Sequence, residues 1–187
     1  MGKEFELKFK ATPEQQAAIA ALYGDFMSTN MVSEYYDTLP GELAMQRMVL
    51  RRRLENDRYV CTCKAPLKDN TRKEWEVECD DIREAIGKLC KLGAPKMLRT
   101  LTNGSLCIYC GARFVRRHKL LELEGATVEL ALDAGVFIGG GREKPLREIE
   151  VELKSGSEEV AAAFAEALAE KFGLVVEPLS KFQQALL

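Results

Sequence analysis

Histidine is nearly missing from this chain: His118 is the only one among 187 residues. A zinc centre would need histidines, or a second cysteine pair, at suitable spacing. The close pairs Cys61-x-Cys63 and Cys107-x-x-Cys110 lie inside strand-like runs, where thiols serve as small apolar fillers, so reduced core cysteine is expected in place of structural zinc. No apolar run approaches the roughly 20 residues that span a bilayer. The opening residues are charged and lack a signal-peptide pattern, and Glu6 stands where N-myristoylation wants Ser or Thr. A cytoplasmic protein without a membrane partner is therefore expected. An excess of one charge is missing too: 27 Lys and Arg against 29 Asp and Glu leave a formal net charge of −2. That balance argues against a nucleic-acid partner and leaves any anion binding to local clusters. Linkers, low-complexity segments and exact repeats are absent as well. A chain that is 47% hydrophobic and 30% charged at this length supports one core, and hence a single domain over 1–187. None of these readings sets an oligomeric state.

What the chain does have is alternation. Side chains point to opposite faces along a strand, so Glu4, Glu6 and Lys8 face one way and Phe5, Leu7 and Phe9 the other. Thr12-Pro13-Glu14-Gln15 predicts a capped helix over 13–26 whose stripe is Ile19, Leu22, Tyr23 and Phe26. Residues 28–38 read as a strand, and 46–54 with 58–65 as a hairpin across Asn56-Asp57. In its first arm Arg47, Arg51 and Arg53 share one parity while Met48, Leu50, Arg52 and Leu54 share the other; Lys64 lies near the end of the second arm. Arg72-x-Glu74-x-Glu76-x-Glu78 is backed by Lys73, Trp75, Val77 and Cys79, and Asp80-Asp81 opens a helix over 82–92. The second half predicts a strand over 106–123 that breaks near Arg116-Arg117-His118. Next come an alternating strand over 127–133 and the row Glu148-x-Glu150-x-Glu152-x-Lys154. An Ala-rich helix to Phe172 and a short final helix after Glu177 close the chain.

For any one strand, a charged face turned to water is the ordinary arrangement. With about eight such strands and apolar helix stripes to cover their other faces, the charged faces instead line a common interior. Acidic residues concentrate on the first strand and on the Glu148 to Glu152 strand; basic ones concentrate on the Arg51 to Lys64 hairpin and near Arg116. Hard divalent cations take carboxylate oxygens, and phosphates take Arg and Lys. A site with both is suited to a metal-chelated polyphosphate.

Glu4-x-Glu6-x-Lys8 resembles the ExExK signature of the CYTH superfamily, the triphosphate tunnel metalloenzymes. Further matches follow in the family's order: Tyr36-Asp37-Thr38, Leu50-Arg51-Arg52-Arg53, Lys64, Arg72-x-Glu74-x-Glu76, Val128 to Asp133 with Gly135, Glu148-x-Glu150-x-Glu152, and Ser180-Lys181. The resemblance implies an α+β fold: a closed eight-stranded antiparallel β-barrel, or tunnel, with a charged lumen and flanking helices. It implies Glu4, Glu6, Glu150 and Glu152 as ligands of Mg²⁺ or Mn²⁺, and Lys8, Arg51, Arg53, Lys64, Arg113, Arg116 and Lys181 as phosphate ligands. Lys8, Glu148 and Asp133 are implied as catalytic residues, with Glu129 in support. Arg72, Glu74 and Glu76 read equally as ligands or as an ion-pair set, and Tyr35, Tyr36 and Trp75 as packing residues. The opening strand and the Arg147 to Lys154 run look most like the bacterial inorganic triphosphatase branch. The implied activity is hydrolysis of inorganic triphosphate or a related organic triphosphate. Thiamine triphosphate hydrolysis, a class IV-type adenylyl cyclase and a non-catalytic polyphosphate-binding module are the alternatives.

Overall fold

The computed structural model describes residues 5–66 and 72–187, with Arg72 described by its backbone alone. In chain order the elements are β1 (Glu6–Lys10), α1 (Pro13–Tyr23), β2 (Met27–Thr38), α2 (Glu42–Met45), β3 (Val49–Glu55), β4 (Arg58–Pro66), β5 (Arg72–Glu78) and α3 (Ile82–Lys91). They continue as α4 (Lys96–Leu101), β6 (Leu106–Leu123), β7 (Ala126–Gly139), β8 (Arg142–Gly156), α5 (Glu158–Phe172), β9 (Val175–Val176) and α6 (Lys181–Leu186). The strands form one antiparallel sheet in the order β5-β4-β3-β2-β6-β7-β8-β1-β9. Among the described residues it has nine strands where eight were expected, because the two-residue β9 adds to the free side of β1. Its order is open: among the described residues no pairing joins β5 to β9, so the expected closure of the barrel is not part of the observed pairing. No helix among the described residues is long and apolar enough to cross a membrane.

The chain divides into two compact units. The first comprises the chain up to Thr29, Phe114–Val136 and Pro145–Ser180. Here Leu7 pairs with Val151 and Phe9 with Ile149 across β1 and β8, so these apolar residues share a face. With Val128, Leu130 and Leu132 of β7 they pack on Ile19 of α1 and on Ala161, Ala165 and Leu168 of α5. Truncating a core leucine such as Leu168 to alanine costs about 2–5 kcal/mol. Thr12 caps α1 in a reciprocal box with Gln15, and the helix stops at Tyr23 instead of Phe26 because Gly24 takes φ 55°. Its buried side also differs from the predicted stripe: Leu22 is half exposed while Gln16 is buried. Ser157 caps α5, and Gly173 ends it at φ 64°.

The second unit comprises Asn30–Arg113, Phe137–Lys144 and Lys181–Leu187. Strands β2 to β5 form an antiparallel meander. One face presents Tyr36, Leu50, Cys61, Cys63 and Trp75 to Leu43, Ala85, Ile86, Leu89 and Leu98 from α2, α3 and α4. The two thiols are core fillers, and burial pushes both Cys61 and Cys63 up to about 12. Asp81 caps α3 through the Glu84 amide. Helix α6 lies so close to β7 that a Cβ at Gly139 would sit 1.9 Å from the Ala185 carbonyl oxygen.

The predicted break at Arg116-Arg117-His118 does not occur, since β6 runs unbroken through these residues. They contain neither Gly nor Pro, and two of the three side chains find acidic partners. Arg116 meets Asp133 and Glu150, and His118 lies 3.4 Å from Glu129.

Candidate functional site

In the first unit the pairing register fixes a charged row opposite the helix-covered face. Glu6 stands across from Glu152, Lys8 from Glu150 and Lys10 from Glu148. Residues opposed in an antiparallel pair share a face, so β1 and β8 interleave four carboxylates with two ammonium groups. On β7, Glu129 and Asp133 have the parity opposite to core residues Val128, Leu130 and Leu132. The convergence point is Asp133, Glu148 and Glu150: all three are buried, and each places a carboxylate oxygen within 4.8 Å of the others. All-oxygen donors in this arrangement fit a hard divalent cation such as Mg²⁺ or Mn²⁺.

Positive charge enters the row from two sides. Arg116 on β6 donates its Nε–H to Asp133 Oδ1 at 2.8 Å and an Nη2–H to Oδ2 at 2.7 Å, a two-pronged contact, and a further Nη2–H to Glu150. Burial works against the guanidinium charge, but Glu150 and Asp133 outweigh it and hold Arg116 well above its ordinary value. Lys8 lies 3.6 Å from Glu148 and donates to the Leu179 carbonyl. Glu129 is ringed by Arg116 at 3.9 Å, Lys154 at 3.7 Å and His118. Lys154 also pairs with Glu152 at 2.8 Å. Fully buried acids such as Asp133 persist only with such compensation.

In the second unit the face opposite α2, α3 and α4 carries the bases. Tyr35 pairs with Arg51, and Arg51 with Thr62; Thr62 pairs in turn with Glu76, and Lys64 with Glu74. Arg51 donates to Thr62 Oγ1 at 3.0 Å and lies within 3.7 Å of Glu74 and 3.4 Å of Glu76, while Lys64 meets Glu74 at 2.8 Å. The Nε–H of Arg51 is buried and finds no acceptor among the described residues, a donor that an anion would satisfy. Arg53 pairs with Glu55. Burial pushes the Tyr35 phenol up, opposed by the positive charges of Arg51, Lys181 and Arg53. The Tyr35 ring rests 5.4 Å from that of Phe182 on α6. A concavity of about 410 Å³ beside Tyr59, Cys79 and Lys88 contains none of the residues expected for metal or phosphate.

Of the residues singled out in the sequence, Lys8, Arg116, Asp133, Glu148 and Glu150 come together in the first unit. Glu6 and Glu152 flank them on the same row, with Glu6 exposed. Arg51, Arg53, Lys64 and Lys181 belong to the second unit, as does Arg113, which reaches exposed Glu143 at 3.0 Å. Glu4 lies outside the described residues. Glu74 and Glu76 form an ion-pair set with Arg51 and Lys64, and Tyr36 and Trp75 pack in the core. Three participants went unassigned in the sequence. Lys154 continues the parity of Glu148 to Glu152, and His118 has the parity of Arg116, so both signals were present. Gln16 donates to the backbone carbonyls of Asp133 and Glu148 at 2.8 and 2.9 Å; its only signal was its place three residues before Ile19.

Comparison with known proteins follows the same lines. The inorganic triphosphatase of Haemophilus influenzae is 28% identical over 177 residues, which is 90% of this chain and 50% of that protein. The chain thus spans about half the length of the curated relative. Among solved structures, HpAC1 from Hippeastrum, named as a candidate adenylyl cyclase and described as having a dominant triphosphatase activity, superposes with a TM-score of 0.67. It is 20% identical, covering 98% of this chain and 97% of that one. The PH1819 protein of Pyrococcus horikoshii superposes with a TM-score of 0.61 at 20% identity, covering 97% of each chain. The family model for the CYTH domain matches residues 2–186. On that match, over nearly its whole length, the chain belongs to the CYTH domain family.

Proposed function

We propose that this protein is a divalent-metal-dependent triphosphatase that hydrolyses inorganic triphosphate to diphosphate and phosphate. The single observation that carries the reading is the buried convergence of Asp133, Glu148 and Glu150 beside Arg116 and Lys8. The relative's triphosphatase name and the family membership support it.

In this reading Glu150, Asp133 and Glu148 hold Mg²⁺ or Mn²⁺, with Glu6 and Glu152 of the same row, and Glu4 as the family resemblance implies, as further carboxylates. The bound cation supplies Lewis-acid neutralisation of charge on phosphoryl oxygens. Arg51, Arg53, Lys64, Arg113 and Lys181 bind phosphate as charge-assisted donors. Arg116 and Lys8 balance the negative charge that grows on the transferred group. Water attacks the terminal phosphorus in line, the bond to the bridging oxygen breaks and diphosphate leaves. In this proposal Asp133, Glu148 and Lys8 orient that water, and a carboxylate of Asp133 or Glu148 takes up its proton. The proposal includes a single domain over 1–187, action in the cytoplasm, and closure of the charged face into the eight-stranded tunnel that the family resemblance implies.

Incubation with triphosphate, ATP or thiamine triphosphate, each with Mg²⁺ and with Mn²⁺, tests the reading when phosphate and cyclic AMP are measured together. Fastest phosphate release from triphosphate is expected. Cyclic AMP from ATP would replace the reading with cyclisation. Tight triphosphate binding without phosphate release over hours would leave a binding module.

A further inference from the structure

We infer that Gln16 is a positioning residue that sets the spacing of the Asp133 and Glu148 carboxylates and thereby the affinity for the divalent cation. The inference rests on the proposed metal reading and adds a residue from outside the charged row. Gln16 lies on α1, and only 3% of it is exposed. Its amide nitrogen has two hydrogens and uses them on two carbonyls from neighbouring strands, Asp133 on β7 at 2.8 Å and Glu148 on β8 at 2.9 Å. These are two of the three residues whose side chains converge.

The amide oxygen is fixed as well. It accepts from the Arg147 guanidinium at 3.2 Å, on the residue next to Glu148. Three bonds therefore lock a buried side chain in one orientation, and through it the backbones of β7 and β8 at the point where their acids meet. A polar side chain this buried costs stability unless its bonds are all made. An apolar residue would pack here at less risk, since the neighbouring position of α1, Ile19, is itself fully buried in the core. Partners that orient ligands in this way carry about 10–100-fold in metal affinity or activity.

The test is titration of the metal-free protein with Mn²⁺ by calorimetry, with circular dichroism recording the fold. Gln16→Met keeps the length and removes all three bonds; a loss of Mn²⁺ affinity of about 10-fold or more is expected. Ile19→Val weakens the same helix without touching either carbonyl, and wild-type affinity is expected. Glu150→Gln reports on the underlying site. If Glu150→Gln binds Mn²⁺ like the wild type, the metal reading itself fails. If Glu150→Gln loses binding while folded Gln16→Met retains it, or if Ile19→Val loses as much as Gln16→Met, the positioning role fails. Should Gln16→Met not fold, Arg147→Ala takes its place, because Arg147 is exposed and its truncation frees the amide oxygen while leaving both carbonyl bonds in place. A weaker loss in the same direction is then expected, and unchanged affinity would overturn the inference.

Discussion

Removing the Arg116 side chain strands two buried carboxylates. The guanidinium is 13% exposed, Asp133 is 0% exposed and Glu150 is 8% exposed, so water can replace little of what is lost. Breaking a buried pair by deleting one partner costs about 3–5 kcal/mol, mostly as the penalty of the charge left behind. Arg116→Met, which keeps the apolar stem, should therefore lose about that much in urea unfolding without metal. At roughly 2–4 °C per kcal/mol for a chain of this size, the melting temperature should fall by about 6–20 °C. Adding Asp133→Asn removes one of the stranded charges, so the double variant should lose less than the sum of the singles by about 0.5–3 kcal/mol. A cation that binds only the folded state at 100 times its dissociation constant adds about 2.7 kcal/mol, and Mn²⁺ should recover part of the Arg116→Met loss. A cost below about 1 kcal/mol, or strict additivity with Asp133→Asn, would refute the assignment of Arg116 as the counter-charge of the acid group.

Other expectations follow from single residues. Burial works to raise Glu55, but Arg53 and Arg58 outweigh it and hold its carboxyl below the usual value. Its contribution is thus present above the unfolded carboxylate pKa of about 4.3 and disappears as pH falls through the lower folded value. Glu55→Gln should cost on the order of 1 kcal/mol at pH 7, and the gap from wild type should close in acid; a gap independent of pH would contradict this. Cys61, Cys63 and Cys110, all buried with thiols pushed up to about 12, should resist alkylation at pH 8 in the folded protein while Cys90 and Cys107 react first, as peptide mapping would record. Gly139→Ala should destabilise by about 1–3 kcal/mol because its methyl group would overlap the Ala185 carbonyl. Thermal unfolding within 1 °C of wild type, about the change expected for a few tenths of a kcal/mol, would count against that close approach.

The sequence made the faces legible because strand alternation is local. Glu6 and Lys8 oppose Phe9, Glu129 and Asp133 oppose Leu130, and Arg51 opposes Leu50, and the folded faces follow that parity. Caps were legible for the same reason, as Thr12 and Asp81 show. What parity does not contain is register between strands. Nothing local says that Lys8 lies opposite Glu150, or that Arg116, not the nearby Arg113, reaches Asp133. β6 runs unbroken past Arg116, whose partners Asp133 and Glu150 lie on β7 and β8, where the β6 sequence alone does not reveal them. Helix α2 was missed because Asp37 organises it from outside, accepting from the Leu43 and Ala44 amides at 2.9 and 3.0 Å. Gln16 was hidden by its residue type, since a glutamine on an amphipathic helix ordinarily faces water.

The central claim is that the buried acids hold the metal that triphosphate hydrolysis requires. It is tested most directly by phosphate release from triphosphate with Mg²⁺ or Mn²⁺, comparing wild type with Glu150→Gln at matched circular dichroism. Wild-type turnover that EDTA abolishes, with loss of about 100-fold or more in Glu150→Gln, is the predicted result. Turnover undiminished in folded Glu150→Gln, or undiminished by EDTA, would contradict it.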